Sequence, residues 1–169
     1  MAKLLKERLT PVVEEDFVVF LIGMRVNKVW KLHKWLPVFF AMPRMLAELA
    51  KDKDSGLLGA RLVFGSPISP TVIQYWRSFE HLERYARARD KTHLPAWAKF
   101  NRAIGSGGDV GIWHETYLVP ASGFEAVYNN MPRTGLGAAF ELAPATGHRK
   151  TAAQRAGRRS DEGEGAPEA

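Results

Sequence analysis

The amino-acid sequence predicts an α+β domain of the ferredoxin-like type, in which a βαββαβ chain folds into one antiparallel sheet. Two observations predict this class. Segments rich in β-branched and aromatic residues alternate with segments whose apolar residues recur every three or four positions, in the order β-α-β-β-α-β. The chain has 169 residues, of which 46% are hydrophobic, and this is enough for one domain with a core of its own.

The first half of the pattern consists of two strands separated by a helix. Residues 16–26 (DFVVFLIGMRV) are apolar at odd and even positions alike, as in a central strand covered on both faces. Residues 30–51 carry apolar side chains at helical spacing, and Pro37 and Pro43 are expected to split or kink that helix. Residues 57–65 predict the second strand.

The second half repeats the pattern after a tight connection. Residues 71–78 (TVIQYWRS) predict a third strand, which leads into a helix. A further helical segment is predicted at 93–104, and a flexible turn at 105–109. Residues 110–119 (VGIWHETYLV) predict the fourth strand, and 123–130 predict a short fifth strand at the edge of the sheet.

Composition divides the chain into three parts. Residues 1–15 are expected to form an N-terminal arm, and residues 16–143 the ferredoxin-like domain. Residues 144–169 are rich in Ala, Gly, Arg and Glu and contain no aromatic residue. Such a segment buries too little apolar surface to offset its loss of conformational entropy, so we expect a disordered tail.

Several functional classes are excluded at this level. The chain has no cysteine, so it has no disulfide, thiol nucleophile or cysteine metal site. Charged residues interrupt the N-terminus, and the longest apolar stretch, 17–24, falls far short of the roughly 20 residues that span a bilayer, so a cytoplasmic protein that does not bind membranes is expected. The net charge of +6 is dispersed and accompanies no recognition-helix pattern, which argues against nucleic acid as a partner.

Polar side chains within or beside the apolar strands are the candidate catalytic groups. Imidazole is the side chain that most often serves as a general base, so His114 is a candidate, and Arg25 could stabilise the anion that deprotonation leaves. The alternatives are a His114 that is hydrogen-bonded at a subunit contact and an Arg25 that simply ends its strand in solvent. A small hydrophobic substrate is expected between the sheet and its helices. Because both faces of each strand are apolar, the sequence does not show which face lines the pocket. The predicted substrate-binding residues are Asn27, Phe17, Val19, Leu21, Tyr75 and Trp113.

Two further histidines bear on the cofactor. His81 and His93 lie on predicted helices, and either could be an axial haem ligand, as could His114; helix-surface histidines are the simpler interpretation. The sequence leaves the cofactor as none or haem. No histidine and carboxylate group occurs at metal-ligand spacing, so no other metal is expected.

Four segments carry a family resemblance: YWRSFEHLERYAR, HLPAWAKFNRAIG, GIWHETYLVP and YNNMPRTGLG. They resemble the monooxygenase-like family that includes the small monooxygenase of fumagillin biosynthesis, formerly a domain of unknown function. The resemblance covers about 17–137. It implies a dimeric α/β-barrel, in which two ferredoxin-like sheets face each other in a homodimer. An apolar sheet face that the helices leave uncovered also predicts a homodimer.

The activity that this resemblance implies is a monooxygenase-like oxidoreductase acting on a small hydrophobic substrate. Proteins with the same barrel include cofactor-free oxygenases, haem-degrading enzymes, haem-dependent aldoxime dehydratases and chlorite dismutases, and one fold with such varied chemistry does not decide function. Two alternatives therefore stand beside the monooxygenase. One is a haem-binding enzyme of the dehydratase kind, and the other is a non-catalytic dimer that binds a ligand.

Overall fold

A computed structural model describes residues 2–88 and 107–158. The chain divides into two compact units, one of Asp16–Leu118 and one of Met1–Glu15 with Val119–Ala169. The elements in chain order are β1 (Leu9–Val12), β2 (Phe17–Val26), α1 (Leu32–Lys51), β3 (Leu57–Ser66), β4 (Ser69–Trp76), α2 (Phe79–Arg87), β5 (Val110–Val119), α3 (Leu136–Ala139), β6 (Glu141–Pro144), a 3-10 turn (Gly147–Arg149) and α4 (Ala152–Arg155).

The unit of Asp16–Leu118 is built on a four-stranded sheet in the order β3-β4-β2-β5. β4 pairs antiparallel with β2, from Val18 opposite Trp76 to Gly23 opposite Thr71, and also pairs antiparallel with β3. The first and third strands of the βαββαβ pattern are therefore central, which is the ferredoxin-like arrangement. The predicted α+β ferredoxin-like fold is confirmed. Of the two predicted helices that follow the third strand, α2 is observed, and 93–104 lies outside the described residues.

The two faces of this sheet differ in what covers them. Even-numbered residues of β2 face the helices, because Val18 packs with Leu49 of α1 and Leu82 of α2, and Met24 packs near Trp35 of α1. We call this side the helix face. Strand alternation places the odd-numbered residues of β2 on the opposite side, which we call the second face. The structure thus assigns the parity that the sequence left open.

α1 is one helix of 20 residues, although Pro37 and Pro43 lie inside it. Of the two outcomes expected of these prolines, a split or a kink, the split is absent. Each internal proline removes a backbone hydrogen bond and costs about 3 kcal/mol or more in an isolated helix. Here α1 packs a stripe of apolar side chains against the sheet, with Met45 and Leu49 buried, and this packing offsets that cost. Within the described residues, no helix is long and apolar enough to cross a membrane.

The unit of Met1–Glu15 and Val119–Ala169 corrects three expectations. β1 lies within the predicted arm and pairs antiparallel with β6, from Leu9 opposite Pro144 to Val12 opposite Glu141. The strand predicted at 123–130 is absent; Tyr128 only forms an isolated bridge with Leu9. The predicted tail is ordered as far as residue 158, whereas 159–169 lie outside the described residues. The domain boundaries at residues 16 and 143 remain a prediction.

A buried guanidinium explains the order of the predicted tail. The side chain of Arg155 is only 5% exposed and forms an ion pair with Glu125 at 2.6 Å. Its Nη1 also donates hydrogen bonds to the backbone carbonyls of Arg149 and Lys150, at 3.1 and 2.7 Å. Thr151 and Gln154 form a capping box at the start of α4. Polar contacts of this kind leave no trace in average hydrophobicity, so composition alone missed them.

Candidate functional site

A cavity of about 680 Å³ opens beside α1, within the unit of Asp16–Leu118. It lies between α1, the end of β2 and the hairpin that joins β3 to β4, and we call it the α1 cavity. Its volume falls in the range of about 300–1,000 Å³ that is typical of small-molecule sites. Its lining residues are Val26, Val29, Trp35, Leu36, Phe39, Phe40, Phe64, Gly65, Ser66, Pro67, Ile68 and Pro70.

Helical spacing and aromatic packing build the wall on the α1 side. Trp35, Leu36, Phe39 and Phe40 follow one another at spacings that place them on one side of a helix. The rings of Trp35 and Phe39 meet edge to face at 86°, and those of Phe39 and Phe40 at 89°. This geometry is favourable for aromatic pairs. Phe40 is 52% exposed and Phe64, across the cavity, is 57% exposed, so both offer apolar surface to a ligand.

Few polar groups reach the α1 cavity. Among its described lining residues, Ser66 alone carries a hydroxyl. The indole Nε1–H of Trp35 already donates to the backbone carbonyl of Val29 at 3.0 Å. A wall of this composition favours a neutral, largely apolar molecule, because a charged group inside it would lose its hydration without a partner.

Three charged side chains meet next to the cavity. Lys28 Nζ lies 2.7 Å from one carboxylate oxygen of Asp109, and Lys31 Nζ lies 2.9 Å from the other. Their hydrogen bonds to this carboxylate lower the pKa of Asp109 to about 2, despite its burial. The sequence predicted only a flexible turn here. In the structure, Asp109 is buried and contacts the segment that leads into α1.

The residues predicted to line the pocket lie on the second face. Phe17, Val19 and Leu21 are odd-numbered residues of β2, and Tyr75 is the residue of β4 that pairs with Val19. The Trp113 indole lies over Gly23, where an added Cβ would come within 2.5 Å of its Nε1. None of these residues lines the α1 cavity. Their role in substrate binding remains a prediction.

Arg25 and Asn27 also lie away from the α1 cavity. Arg25 is the last odd-numbered residue of β2 and is exposed. Its Nε donates to Asn27 Oδ1 at 3.2 Å. Asn27 Nδ2 in turn donates to the backbone carbonyl of Gly108 at 3.0 Å. These contacts fix both side chains at the strand end. Their substrate-contacting roles remain predictions.

His114 occupies the other side of the sheet. Its ring contacts that of Phe20, an even-numbered residue of β2, with centroids 5.7 Å apart, and its side chain is exposed. His114 and Arg25 therefore lie on opposite faces, and the structure does not bring them together. His114 shares the helix face with the α1 cavity but does not line it.

Haem does not fit the described lining of the α1 cavity. That lining contains no histidine, methionine, tyrosine or cysteine to serve as an axial ligand. The imidazole of His81 packs against Gly56, and its Nδ1 is hydrogen-bonded to the Ser78 hydroxyl at 2.9 Å. His93 lies outside the described residues. Within the described ranges, no three acidic, histidine or cysteine side chains cluster to hold a metal ion.

Two solved structures, both of aldoxime dehydratases, support the fold. An aldoxime dehydratase has a TM-score of 0.67 and 18% identity, over 85% of this chain and 45% of that one. The aldoxime dehydratase OxdRE in complex with butyraldoxime has a TM-score of 0.63 and 19% identity, over 78% and 40%. The chain thus spans less than half of either protein. SnoaB, a cofactor-independent oxygenase from Streptomyces nogalater, has a TM-score of 0.44 and 15% identity, over 60% and 91%.

Comparison with protein families is more decisive. No curated protein matches the chain. The family described as Monooxygenase af470-like matches residues 17–136, which is most of the chain. This match confirms the resemblance seen in the sequence segments. The chain belongs to the monooxygenase af470-like family.

Proposed function

We propose that this protein is a monooxygenase-like oxidoreductase that binds a small hydrophobic molecule in the α1 cavity. The observation that carries the proposal is the cavity itself, about 680 Å³ in volume and lined almost entirely by apolar and aromatic side chains. Membership of the family supports the reaction class. A ligand that buries about 200 Å² of apolar surface there would gain roughly 5 kcal/mol before the cost of association.

For the catalytic step we propose His114 as the general base. Its ring contacts Phe20 and it does not line the α1 cavity, so this role requires a substrate that extends along the helix face from Val26 toward Phe20. Oxidation of a substrate methylene to a carbonyl by O₂ consumes one O₂, releases one water and draws its electrons from the substrate. Arg25 lies across the sheet, so its role as an anion stabiliser would require a substrate on the second face.

The same lining favours a second candidate function. Among the described lining residues there is no titratable side chain, and this is also the expected composition of a non-catalytic ligand-binding site. Oxygen uptake separates the two functions. Turnover with a member of a hydrophobic substrate panel, abolished by His114→Ala, supports the oxygenase, whereas tight binding without oxygen uptake supports the binding protein.

We also propose that the chain forms a homodimer through the second face. Its support is the exposed aromatic surface of β5, where Trp113 is 37% exposed and Tyr117 is 50% exposed. The Tyr117 hydroxyl donates to Glu115 at 2.6 Å, and this hydrogen bond raises the Tyr117 pKa. Light scattering during size-exclusion chromatography should give twice the chain mass of 18.9 kDa. A mass of one chain at micromolar concentration would contradict the homodimer.

A matched pair of α1 variants tests the binding site. Phe40 lines the cavity and Leu32 does not, yet both belong to α1 and both are 52% exposed. Phe40→Asp places a charge in the apolar wall and should weaken binding of the neutral fluorophore N-phenyl-1-naphthylamine at least about tenfold. Leu32→Asp should bind it as the unmodified protein does. Equal affinities in the two variants would refute the α1 cavity as the site.

A further inference from the structure

A single acidic residue holds the segment that forms the lip of the α1 cavity. The side chain of Asp109 is 8% exposed and is paired with both Lys28 and Lys31. Its backbone carbonyl also accepts hydrogen bonds from the N–H groups of Asn27 and Lys28, at 3.0 and 3.2 Å. The side chain and backbone of Asp109 together fasten residues 27–31 to the start of β5.

The lip residue itself is Val29, which lies in the middle of this segment and lines the cavity. Its backbone carbonyl accepts the indole N–H of Trp35, a second lining residue. The backbone N–H of Lys31 bonds to the carbonyl of Lys28 at 3.1 Å, so the segment is a closed turn around Val29. The position of Val29 therefore depends on Asp109 on one side and on Trp35 on the other.

The same ionic cluster sets the charge beside the lip. Two ammonium groups and one carboxylate leave a net charge of +1 there. Removing the carboxylate would leave +2 and would leave both ammonium groups without their shared anionic partner. Buried or partly buried charges of this kind are screened less than exposed ones.

We propose that Asp109 is a positioning residue for the α1 cavity, and that its negative charge also shifts the selectivity of the cavity away from anionic ligands and toward neutral ones. This inference rests on the proposed function, because it concerns the ligand of the same cavity. Loss of the carboxylate removes the ionic contacts that hold the Val29 lip and leaves only the backbone hydrogen bonds to Asp109, so the lip is held less firmly and binding of any ligand weakens. It also adds positive charge, which favours an anionic ligand over a neutral one of the same skeleton.

Two fluorescent probes with one skeleton test the proposal. N-phenyl-1-naphthylamine is neutral, and 1-anilinonaphthalene-8-sulfonate is the same skeleton with a sulfonate. In Asp109→Asn, we expect the Kd of the neutral probe to rise about threefold to tenfold. The ratio of the two affinities should shift roughly threefold toward the sulfonate.

Charge-restoring variants separate positioning from selectivity. Asp109→Glu retains the carboxylate and should restore the affinity ratio. Combining Asp109→Asn with Lys31→Met returns the local charge to +1, so it should restore the ratio but not the affinity for the neutral probe. Unchanged affinities in Asp109→Asn would overturn the proposal, and an equal loss for both probes would overturn its selectivity part.

A measurement without ligand distinguishes failure of this inference from failure of the proposed function. If the unmodified protein binds neither probe, the proposed function fails, and hydrogen exchange of the Trp35 indole N–H still reports on the lip. That exchange should be at least about tenfold faster in Asp109→Asn. It should not change in Glu83→Gln, which breaks the Glu83–Arg87 ion pair on α2. Unchanged exchange in Asp109→Asn would overturn the positioning role, and Lys28→Met gives a milder test that retains the Lys31 pair.

Discussion

The even-numbered and odd-numbered residues of β2 lie on opposite faces of the sheet and have different surroundings. Even-numbered residues of β2 are part of two packed clusters with the helices, and Val26 also lines the α1 cavity. Odd-numbered residues begin with Phe17, which is 2% exposed, and end with Arg25, which is exposed. In the sequence both sets are similarly apolar. The difference shows that strand residues can be assigned to a ligand site only when it is known which face of the sheet each one occupies.

The sharpest test of this comparison uses two tryptophans on opposite faces of the sheet. Trp76, on the helix face, is 1% exposed, and its indole N–H donates to Gln74 at 2.9 Å. Trp76→Ala leaves a large void and should lower the free energy of unfolding by about 3–5 kcal/mol. Trp113→Ala, on the second face, should lower it by less than about 1.5 kcal/mol at low protein concentration. Urea unfolding measures both.

Protein concentration sharpens the same test. The proposed homodimer would bury Trp113, so the loss caused by Trp113→Ala should grow as the concentration rises. Losses of equal size for the two tryptophans at low concentration would break the distinction between the faces.

A glycine on the second face gives an intermediate effect. Gly23 lies beneath the Trp113 indole, and a Cβ there would collide with the ring. Gly23→Ala should destabilise the protein by about 1–3 kcal/mol, because overpacking forces the indole or the strand to move. The matched control is Gly111→Ala on β5, where an added Cβ meets nothing within 4 Å.

The double variant Gly23→Ala, Trp113→Ala checks the cause. Removing the indole should recover most of the stability that Gly23→Ala loses. If the two losses are simply additive in thermal or urea unfolding, the Trp113 contact is not the reason that position 23 is glycine.

The smallest expected effect concerns pH. The pKa of Asp109 is lowered from 3.8 to about 2 by its hydrogen bonds to Lys28 and Lys31. A carboxyl group with a lowered pKa in the folded protein stabilises it above the unfolded value, and this contribution is lost as the pH falls from about 4 toward 2. The unmodified protein should therefore lose more stability than Asp109→Asn over that interval. Parallel urea midpoints for the two proteins between pH 5 and 2 would contradict the ionic contact.

Much of the fold could be predicted from the sequence, because local signals and tertiary packing agree there. The β-branched and aromatic run at 110–119 coincides with β5, and the run at 16–26 coincides closely with β2. The helical spacing was also sufficient to predict α1. It did not show that packing would outweigh the helix-breaking effect of Pro37 and Pro43.

The candidate site was harder to predict, for two physical reasons. The stripe of Trp35, Phe39 and Phe40 was recognised as a helix face, but the same spacing describes a side chain in a core and one in a cavity wall. His114 and Arg25 were combined because both interrupt apolar strands, yet they belong to opposite faces. The role of Asp109 depends on contacts 78 residues apart in the chain, which no local pattern shows.

The most direct test of the α1 cavity is a nuclear magnetic resonance titration of the tryptophan indole N–H groups. Trp35 reports on the cavity wall and Trp113 on the second face, and single Trp→Phe variants assign their signals. Addition of N-phenyl-1-naphthylamine should shift the Trp35 signal in a saturable manner and leave that of Trp113 in place. A saturable shift of Trp113 with no change at Trp35 would place the ligand on the second face and would contradict the account.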